Sequence, residues 1–372
     1  QADRLERLAP VLPVLFTLGV PAWLTAPAAL AVLVAVALGR ALAFRRRLAA
    51  GGQEIGWGGA LWDDRGTLAL LALVLAAAWW LGLLQGPVAI PVHGYGVLIA
   101  AGFAAGVLVA QREARRRGQD PERLGDLAFY LLLAALVGSR LYFIGVNWRD
   151  YAGEHAWLAF HGLRIPRILA LWEGGLVFYG GFIAAALTAF WYLRRHRMPF
   201  LAHADTLIPS VALGHFFGRL GCFAAGCCWG APSHAHLPWL TSFPPESLAY
   251  QTFAARPNSA ELLAAGGLST VPVHPTQLYE AFGELGLFAL LVLVVRPRKR
   301  FAGQVLASWL MAYAVLRTVV ELFRGDVERG LVAGISVGLW TSAGIFAAGV
   351  GVWAIGRRAR TRAHPGASAL AA

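Results

Sequence analysis

Long apolar runs alternate with short polar stretches along most of the chain. Nine of them approach or exceed the roughly 18 residues that a membrane-spanning helix needs. They cover residues 15–39, 67–86, 92–111, 127–146, 175–193, 204–221, 279–295, 303–323 and 333–356. The pattern predicts an all-α polytopic membrane protein with about nine transmembrane helices. The first run contains Pro21 and Pro27, so its limits are the least sharply defined.

The composition favours the same class. Of 372 residues, 58% are hydrophobic and 14% are charged, and the formal net charge is +12. Soluble domains carry about 25% charged residues. We interpret the basic excess as a membrane-topology signal, so the lipid bilayer is an expected partner and nucleic acid is not.

Basic residues concentrate on one side of the predicted membrane. Of the 32 Lys and Arg residues, 21 lie after the first, third, fifth and seventh spans and in the C-terminal tail. Eight lie on the other side, and the positive-inside rule makes the richer side cytoplasmic. This predicts an external N-terminus and a cytoplasmic C-terminus. The longest loop, residues 222–277, is then external and is expected to fold as a small cap.

The remaining three arginines, Arg140, Arg219 and Arg317, lie in or at the edge of predicted helices. A charge inside a membrane is costly and is by default a functional-site hypothesis. For a single arginine, snorkelling to the interface or a structural ion pair is the simpler explanation. Three arginines at similar depth on the external side favour a shared site. Guanidinium groups bind phosphate in a bidentate manner, so the expected ligand is an anionic phospholipid headgroup.

Six separate segments have polar residues at a similar predicted depth, near the external side of the membrane. The residues are Tyr95, Arg140, Tyr142, Asn147, Glu173, Tyr179, Arg219, His274, Gln277, Tyr279, Glu280, Arg317, Glu321 and Arg324. Arg317 and Glu321 are four residues apart and therefore share a helix face. A purely structural pair remains a fair alternative for Glu321.

Several glycines in the same segments have two interpretations. They are Gly174, Gly175, Gly180, Gly181, Gly214 and Gly218. Gly214 and Gly218 form a G-x-x-x-G motif, and all six permit close helix packing. Alternatively, the two glycine pairs let a helix break and turn its backbone N–H groups toward a ligand. The position of Tyr179 between those pairs slightly favours the second interpretation.

All three cysteines lie in one motif, GRLGCFAAGCCWG, at residues 218–230. A structural role or a disulfide is favoured first, because the external side is oxidising. A nucleophilic cysteine acting with His274 comes second. A metal site comes last, since no matching second ligand cluster exists and His234 and His236 are the near histidines. No metal or other cofactor is expected.

Six ordered motifs resemble those of the prolipoprotein diacylglyceryl transferase family. They are GYG, GSRLYF, GGLVFYGG, GRLGCFAAGCCWG, HPTQLYE and RTVVELFR. The resemblance covers residues 91–356 and implies a seven-helix plasma-membrane core with a small periplasmic head in the loop 222–277. Residues 1–90 are then a two-helix membrane extension, and residues 357–372 are a basic cytoplasmic tail.

The resemblance also implies a reaction. Family members transfer the diacylglyceryl group of phosphatidylglycerol to the lipobox cysteine thiol of exported preproteins and release glycerol phosphate, without metal or cofactor. The implied catalytic residues are Tyr179, Arg219, Arg317 and Glu321. The implied substrate-binding residues are Tyr95, Arg140, Gly174, Gly175, Gly180, Gly181, Gly218, His274, Gln277, Tyr279, Glu280 and Arg324. We expect Arg219 and Arg317 to bind the phosphate, and Glu321 to orient Arg317. We expect Tyr179 to activate the thiol or to orient the headgroup. His274 is the alternative base.

The chain departs from the family signature G-R-x-G-N-F-x-N-G-E-x-x-G at three polar positions. Cys222, Ala225 and Cys227 replace the two Asn residues and the Glu. This indicates a divergent subgroup with the same reaction, a different acceptor, or lost activity. Alternatives are a lipid-modifying transferase that uses Cys227 or Cys228 as a carrier, and a non-catalytic phospholipid-binding protein. Because the family takes its thiol from the substrate, we predict that none of the three cysteines is the nucleophile.

Overall fold

The computed structural model describes residues 14–20, 88–160, 163–169, 175–233, 235, 237–324 and 331–363. Within these ranges the chain is mostly helical, as the sequence predicts. In chain order the helices are α1 Gly94–Arg116, α2 Pro121–Val146, α3 Phe178–Arg195, α4 Phe200–Ala224, α5 Leu248–Ala254, α6 Ser259–Leu262, α7 Thr276–Leu290, α8 Gln304–Glu321 and α9 Val337–Ala363. Helix α7 continues into a π-helical turn, Leu291–Val295.

Among the described residues, five helices are long and apolar enough to cross a membrane. They are α1, α2, α4, α7 with its π-helical turn, and α9. The start of α2 carries the expected capping signal: Asp120 accepts hydrogen bonds from the backbone N–H groups of Glu122 and Arg123, and Pro121 occupies the first turn. These helices make the chain a multi-pass membrane protein.

The first predicted span does not begin as a helix. Residues Val14–Val20 form strand β1, which pairs with strand β2, Val88–His93. The segment VLFTLGV is rich in β-branched and aromatic residues, and Pro21 follows it, so a strand is favoured over a helix there. The rest of that span and the second predicted span, 67–86, lie outside the described residues. The third predicted span is helical from Gly94.

The chain divides into two compact units. One comprises residues 1–13, His93–Tyr151 and Ala170 onward, and it holds all the long helices that are described. Its short strands β5 and β6, Leu331–Val332 and Ile335–Ser336, precede α9. The other unit comprises Val14–Val92 and Ala152–Leu169, and it includes the antiparallel strands Trp157–Phe160 and Leu163–Pro166 (β3 and β4). The predicted boundary at residue 90 stays a prediction.

Two of the glycines singled out in the sequence, Gly180 and Gly181, allow close helix packing in the first unit. Gly138 on α2 and Gly180 on α3 approach so closely that a Cβ atom on either would overlap the other's carbonyl oxygen. Gly181 lies in the same way against Ser139. The packing interpretation therefore accounts for Gly180 and Gly181, because small residues let two helix backbones meet.

The G-x-x-x-G motif on α4 behaves differently. A Cβ atom on Gly214 would meet nothing within 4 Å, and one on Gly218 would meet only the end of Ile99, at 3.8 Å. Among the described residues, neither glycine is therefore required for close packing, although the carbonyl oxygen of Gly214 would lie 3.4 Å from a Cβ atom on Gly102 of α1.

Residues 225–275, which we call the connecting segment, join α4 to α7 and form a small core of their own. Its buried members are Trp229, Phe243, Ala249, Phe253, Leu262 and Val273. Ser247 caps α5 by accepting a hydrogen bond from the backbone of Tyr250. Isolated β-bridges hold the segment together, one of them between Thr241 and Val273. The connecting segment therefore folds compactly at the ends of α4 and α7.

Candidate active site

Two pairs of polar side chains, one on α4 and one on α7, face each other where these helices are in contact. His215 and Arg219 are four residues apart on α4, and Glu280 and Glu284 are four apart on α7, so each pair lies on one helix face. Nη2 of Arg219 donates to Oε1 of Glu280 over 2.9 Å, and its Nε donates to Nε2 of His215 over 3.2 Å. Nδ1 of His215 lies 2.7 Å from Oε1 of Glu284. Since Nε2 accepts, the proton is assigned to Nδ1, which donates to Glu284.

Helix α8 supplies two more donors to the same carboxylates. Nε1 of Trp309 donates to Oε2 of Glu284 over 3.2 Å, and the hydroxyl of Tyr313 donates to Oε1 of Glu280 over 3.4 Å. The two aromatic rings stack with centroids 5.2 Å apart. Both carboxylates are fully buried, at 0% exposure, so these bonds offset a large desolvation cost. We call the six residues His215, Arg219, Glu280, Glu284, Trp309 and Tyr313 the buried network.

A second arginine lies one helical turn beyond Tyr313. Nη2 of Arg317 is 2.7 Å from Oε2 of Glu321, which forms the four-residue pair that the spacing predicts. The backbone of Gly338 on α9 lies directly against the Glu321 carboxylate, so a side chain there would overlap it. Glu321 is therefore held from α9 as well as by Arg317.

Three buried polar atoms of these arginines and carboxylates lack a hydrogen-bond partner among the described residues. They are Nη1 of Arg317, Oε2 of Glu280 and Oε2 of Glu321, the last of which lies in the ion pair with Arg317. Buried polar groups are nearly always hydrogen-bonded, so each such atom requires an explanation. For Arg317, a buried charged donor with unused N–H groups is suited to an oxygen of a bound anion.

The cysteine motif forms the C-terminus of α4 as a Schellman turn. The N–H of Cys227 donates to the carbonyl of Cys222 over 3.0 Å, and the N–H of Gly226 donates to that of Phe223 over 3.0 Å. Gly226 has φ +63°, the left-handed conformation that this motif requires at its C′ position. Cys222 and Cys227 occupy the two positions whose side chains meet in such a turn.

The thiol sulfurs of Cys222, Cys227 and Cys228 lie within 4.8 Å of one another. None of the three forms a disulfide, so the disulfide considered from the sequence is not present. The pKa of Cys228 is lowered, first because the thiols of Cys222 and Cys227 donate hydrogen bonds to it, and further by the charges of Arg219 and Arg324. The pKa of Cys227 is raised by its hydrogen bonds to the other two thiols and by burial.

Neighbouring segments hold this turn in place. The side chain of Gln277 donates to the carbonyl of Cys227 over 2.7 Å, and Thr276 donates to that of Cys228 over 2.9 Å. On the other side, a Cβ atom on Gly221 would come within 3.0 Å of the Tyr95 ring. The structure thus brings Gln277 and Tyr95 to the arginine-bearing end of α4, as the sequence predicted, with Gln277 bound to the backbone.

The other predicted residues of α7 and α8 cluster beside the connecting segment. Nδ1 of His274 lies 3.0 Å from the hydroxyl of Tyr279, and both rings pack against Phe323. Arg324 pairs through its backbone with Gly230. These contacts join the end of α8 to the start of α7, next to the cysteine turn.

The residues predicted on α2 and α3 have a separate setting. Arg140 is 5% exposed and lies over the rings of Phe143 and Tyr151, at 5.9 and 5.4 Å from their centroids. Gly175, with φ +75°, brings its backbone against Arg140 and Phe143. Tyr179 is 61% exposed near the start of α3. Glu173 and Gly174 lie outside the described residues.

Four members of the buried network were not identified from the sequence. They are His215, Glu284, Trp309 and Tyr313. The signal was present in their spacing: each lies four residues from another polar or aromatic member within an apolar helix, which places them on one face. Membrane depth alone directed attention to the helix ends, whereas the network extends along the helices toward the membrane interior.

Comparison with known proteins identifies the family. The family model described as prolipoprotein diacylglyceryl transferase matches residues 83–355. Proteins named phosphatidylglycerol--prolipoprotein diacylglyceryl transferase are similar to this chain. The one from Gloeobacter violaceus is 32% identical over 75% of this chain and 96% of its own length, and that from Mycobacteroides abscessus is 33% identical over 70% and 73%. One from Clostridium tetani is 28% identical over 72% and 94%. The chain belongs to the prolipoprotein diacylglyceryl transferase family.

Proposed function

We propose that this protein transfers the diacylglyceryl group of phosphatidylglycerol to the lipobox cysteine thiol of exported prolipoproteins. The names of its relatives support the reaction, and their alignments cover 75% and 70% of the chain. The observation that carries the proposal is a pair of carboxylate-anchored arginines at the ends of two apolar helices, with Arg317 buried and Arg219 partly buried. An anionic lipid headgroup is the ligand that such a pair suits.

In this proposal, Arg219 and Arg317 bind the phosphate of phosphatidylglycerol. Each guanidinium has five N–H donors and uses only part of them on its carboxylate. The buried Nη1 of Arg317, which has no hydrogen-bond partner among the described residues, supports this use directly. Glu280 and Glu321 then act as positioning residues, because they fix the planes of the two guanidinium groups.

The bond changes follow from the substrates. The lipobox thiol loses its proton, and the resulting thiolate attacks the glyceryl CH2 carbon that bears the phosphate ester. The C–O bond breaks as the C–S bond forms, and glycerol phosphate leaves with the electron pair. Positive charge at the phosphate lowers the barrier, because negative charge accumulates there as the bond breaks.

The proton acceptor remains one of two residues. Tyr179 is accessible near the start of α3, next to the Gly180–Gly181 contact with α2. His274 shares a hydrogen bond with Tyr279 and lies close in sequence to the helix that carries Glu280. A base must reach the thiol within hydrogen-bond distance, so the assignment depends on where the peptide binds.

We further propose that the arginine-bearing ends of α4 and α8 face the external side, with a cytoplasmic C-terminus in a bacterial plasma membrane. The distribution of basic residues supports this orientation. The connecting segment then forms the small external head. A lipobox cysteine becomes available on that side after export of the preprotein, so the proposed orientation agrees with the proposed substrate.

The test uses the purified full chain with phosphatidylglycerol in mixed micelles and a synthetic lipobox peptide. We expect a peptide mass increase equal to one diacylglyceryl group, with stoichiometric release of glycerol phosphate. A peptide with serine in place of the lipobox cysteine is the matched substrate control. Replacing exposed Arg123 with Ala controls for general loss of a positive charge. An unmodified cysteine peptide under conditions where the protein stays folded would contradict the proposal.

A further inference from the structure

The cysteine turn has a property that the proposed reaction does not use. Three thiol sulfurs from a chain of 372 residues that contains only three cysteines lie within 4.8 Å of one another. In a tetrahedral zinc site with Zn–S bonds of about 2.3 Å, neighbouring sulfurs are about 3.8 Å apart. Small side-chain rotations therefore suffice to place all three sulfurs around one ion.

We propose that Cys222, Cys227 and Cys228 form a binding site for a thiophilic d10 cation such as Zn2+. Thiolates are the ligands that select such ions over hard cations. A tetrahedral ion has four ligands, so its fourth ligand would be a group other than these three thiolates. This proposal concerns binding and does not depend on the transfer reaction.

The backbone makes the site rigid before any ion binds. Four consecutive carbonyl groups of the turn accept hydrogen bonds from other segments. Those of Ala225 and Gly226 accept from the first turn of α5, over 3.4 and 2.8 Å. Those of Cys227 and Cys228 accept from the side chains at the start of α7, over 2.7 and 2.9 Å. A site whose ligands are held in this way loses little entropy when it binds an ion.

The Schellman turn explains why cysteines five residues apart become neighbours. Residues five apart on a continuous helix point in different directions, at about 100° of rotation per residue. Here Gly226 ends the helix in the left-handed conformation and returns Cys227 to the side of Cys222. Cys228 follows with φ +60°, which keeps its thiol in the same group.

Two arginines, Arg219 and Arg324, lie near the thiol group of Cys228. A divalent cation bound by three thiolates forms a group with a net negative charge, so the nearby guanidinium groups stabilise the occupied site.

The test uses the full chain in detergent after removal of reductant and chelator. A thiol titration of the folded protein should find three free thiols. Cd2+ is the probe, because sulfur-to-cadmium charge transfer absorbs in the ultraviolet, and we expect the band to saturate at one Cd2+ per chain. Each single Cys→Ser variant should weaken Cd2+ binding by more than about 100-fold, beyond the 10–100-fold that changes outside the ligand shell cost.

A protection experiment covers the case in which a variant fails to fold. Bound Cd2+ should protect all three cysteines of the unaltered chain from N-ethylmaleimide, whereas the ion-free protein should gain up to three adducts by mass spectrometry. A replacement of exposed Glu261 with Gln, away from the turn, should bind Cd2+ like the unaltered chain. Three results would each overturn the proposal: a single free thiol, which means a disulfide; no saturable band; or serine variants that bind Cd2+ as tightly as the unaltered chain.

Discussion

Replacing Arg219 with methionine separates a role in folding from a role in phosphate binding. Methionine approximates the length of the side chain but removes its donors. Among the described residues, the fully buried Glu280 then keeps one hydrogen-bond donor, the hydroxyl of Tyr313 at 3.4 Å, and Nε2 of His215 lies 3.7 Å from the same oxygen. An uncompensated buried charge costs about 3–5 kcal/mol, so Arg219→Met alone should lower the thermal stability clearly.

The double variant Arg219→Met, Glu280→Gln removes the uncompensated charge. We expect it to recover most of the lost stability, because a neutral amide is much less costly to bury than a carboxylate. Transfer should not recover. A buried charged hydrogen bond to the phosphate is worth about 2–5 kcal/mol, and at about 1.36 kcal/mol per decade this equals a rate loss of roughly 30-fold to several thousandfold.

The assay is the initial rate of lipobox-peptide modification by mass spectrometry, with thermal unfolding measured in the same detergent. Glu280→Gln alone is the control for loss of the carboxylate charge in the buried network. Arg123→Met is the control for loss of a positive charge elsewhere in the chain. Arg219→Lys, which keeps the charge but loses the planar fork, should also transfer slowly. If the stable double variant transfers at the unaltered rate, Arg219 only neutralises Glu280 and the phosphate assignment is wrong.

The remaining predictions concern packing, topology and the thiols. Gly338→Ala should displace the carboxylate that holds the second arginine and slow transfer at least about tenfold, whereas Gly344→Ala, with nothing within 4 Å of the added Cβ, should not. Reporter fusions after residues 199 and 250 should give cytoplasmic and external signals respectively, and the reverse pattern would contradict the orientation. Serine at each cysteine position should retain transfer in chelator-treated protein, since the attacking thiol comes from the substrate. Because its pKa is lowered, Cys228 should lose less of its alkylation rate as the pH falls from about 8 to 6 than an ordinary thiol, which loses about tenfold per unit.

The sequence alone predicted the helical membrane class because long apolar runs have one stable solution in a bilayer. It misplaced the start of the first span, where a β-branched run before Pro21 forms strand β1. This run is hydrophobic enough for a membrane span, and it is also rich in residues that favour β-strands. Its local sequence therefore does not decide between the two structures. Pairing with β2, which lies some 70 residues away, is not visible in local sequence.

For the site, single residues were easier to predict than their partners. The pair of Arg317 and Glu321 follows from a four-residue spacing on one helix and is present in the structure. Arg219 and Glu280 were both identified, but their ion pair joins two helices, and its geometry depends on which faces of α4 and α7 meet. His215 and Glu284 were missed for the same reason, since their importance lies in that shared contact.

The turn that carries the three cysteines, residues 222–228, could have been predicted from the sequence. Its geometry depends neither on a long-range contact nor on depth in the membrane. Gly226 stands where an α4 of this length should end, and a glycine at that position predicts a Schellman turn. Such a turn places the residue four before the glycine beside the residue one after it, which here are Cys222 and Cys227. The family signature has Asn and Glu at these two positions. In this chain the turn places the thiols of Cys222 and Cys227 side by side at the arginine-bearing end of α4, at the two positions where the family signature carries oxygen-bearing side chains.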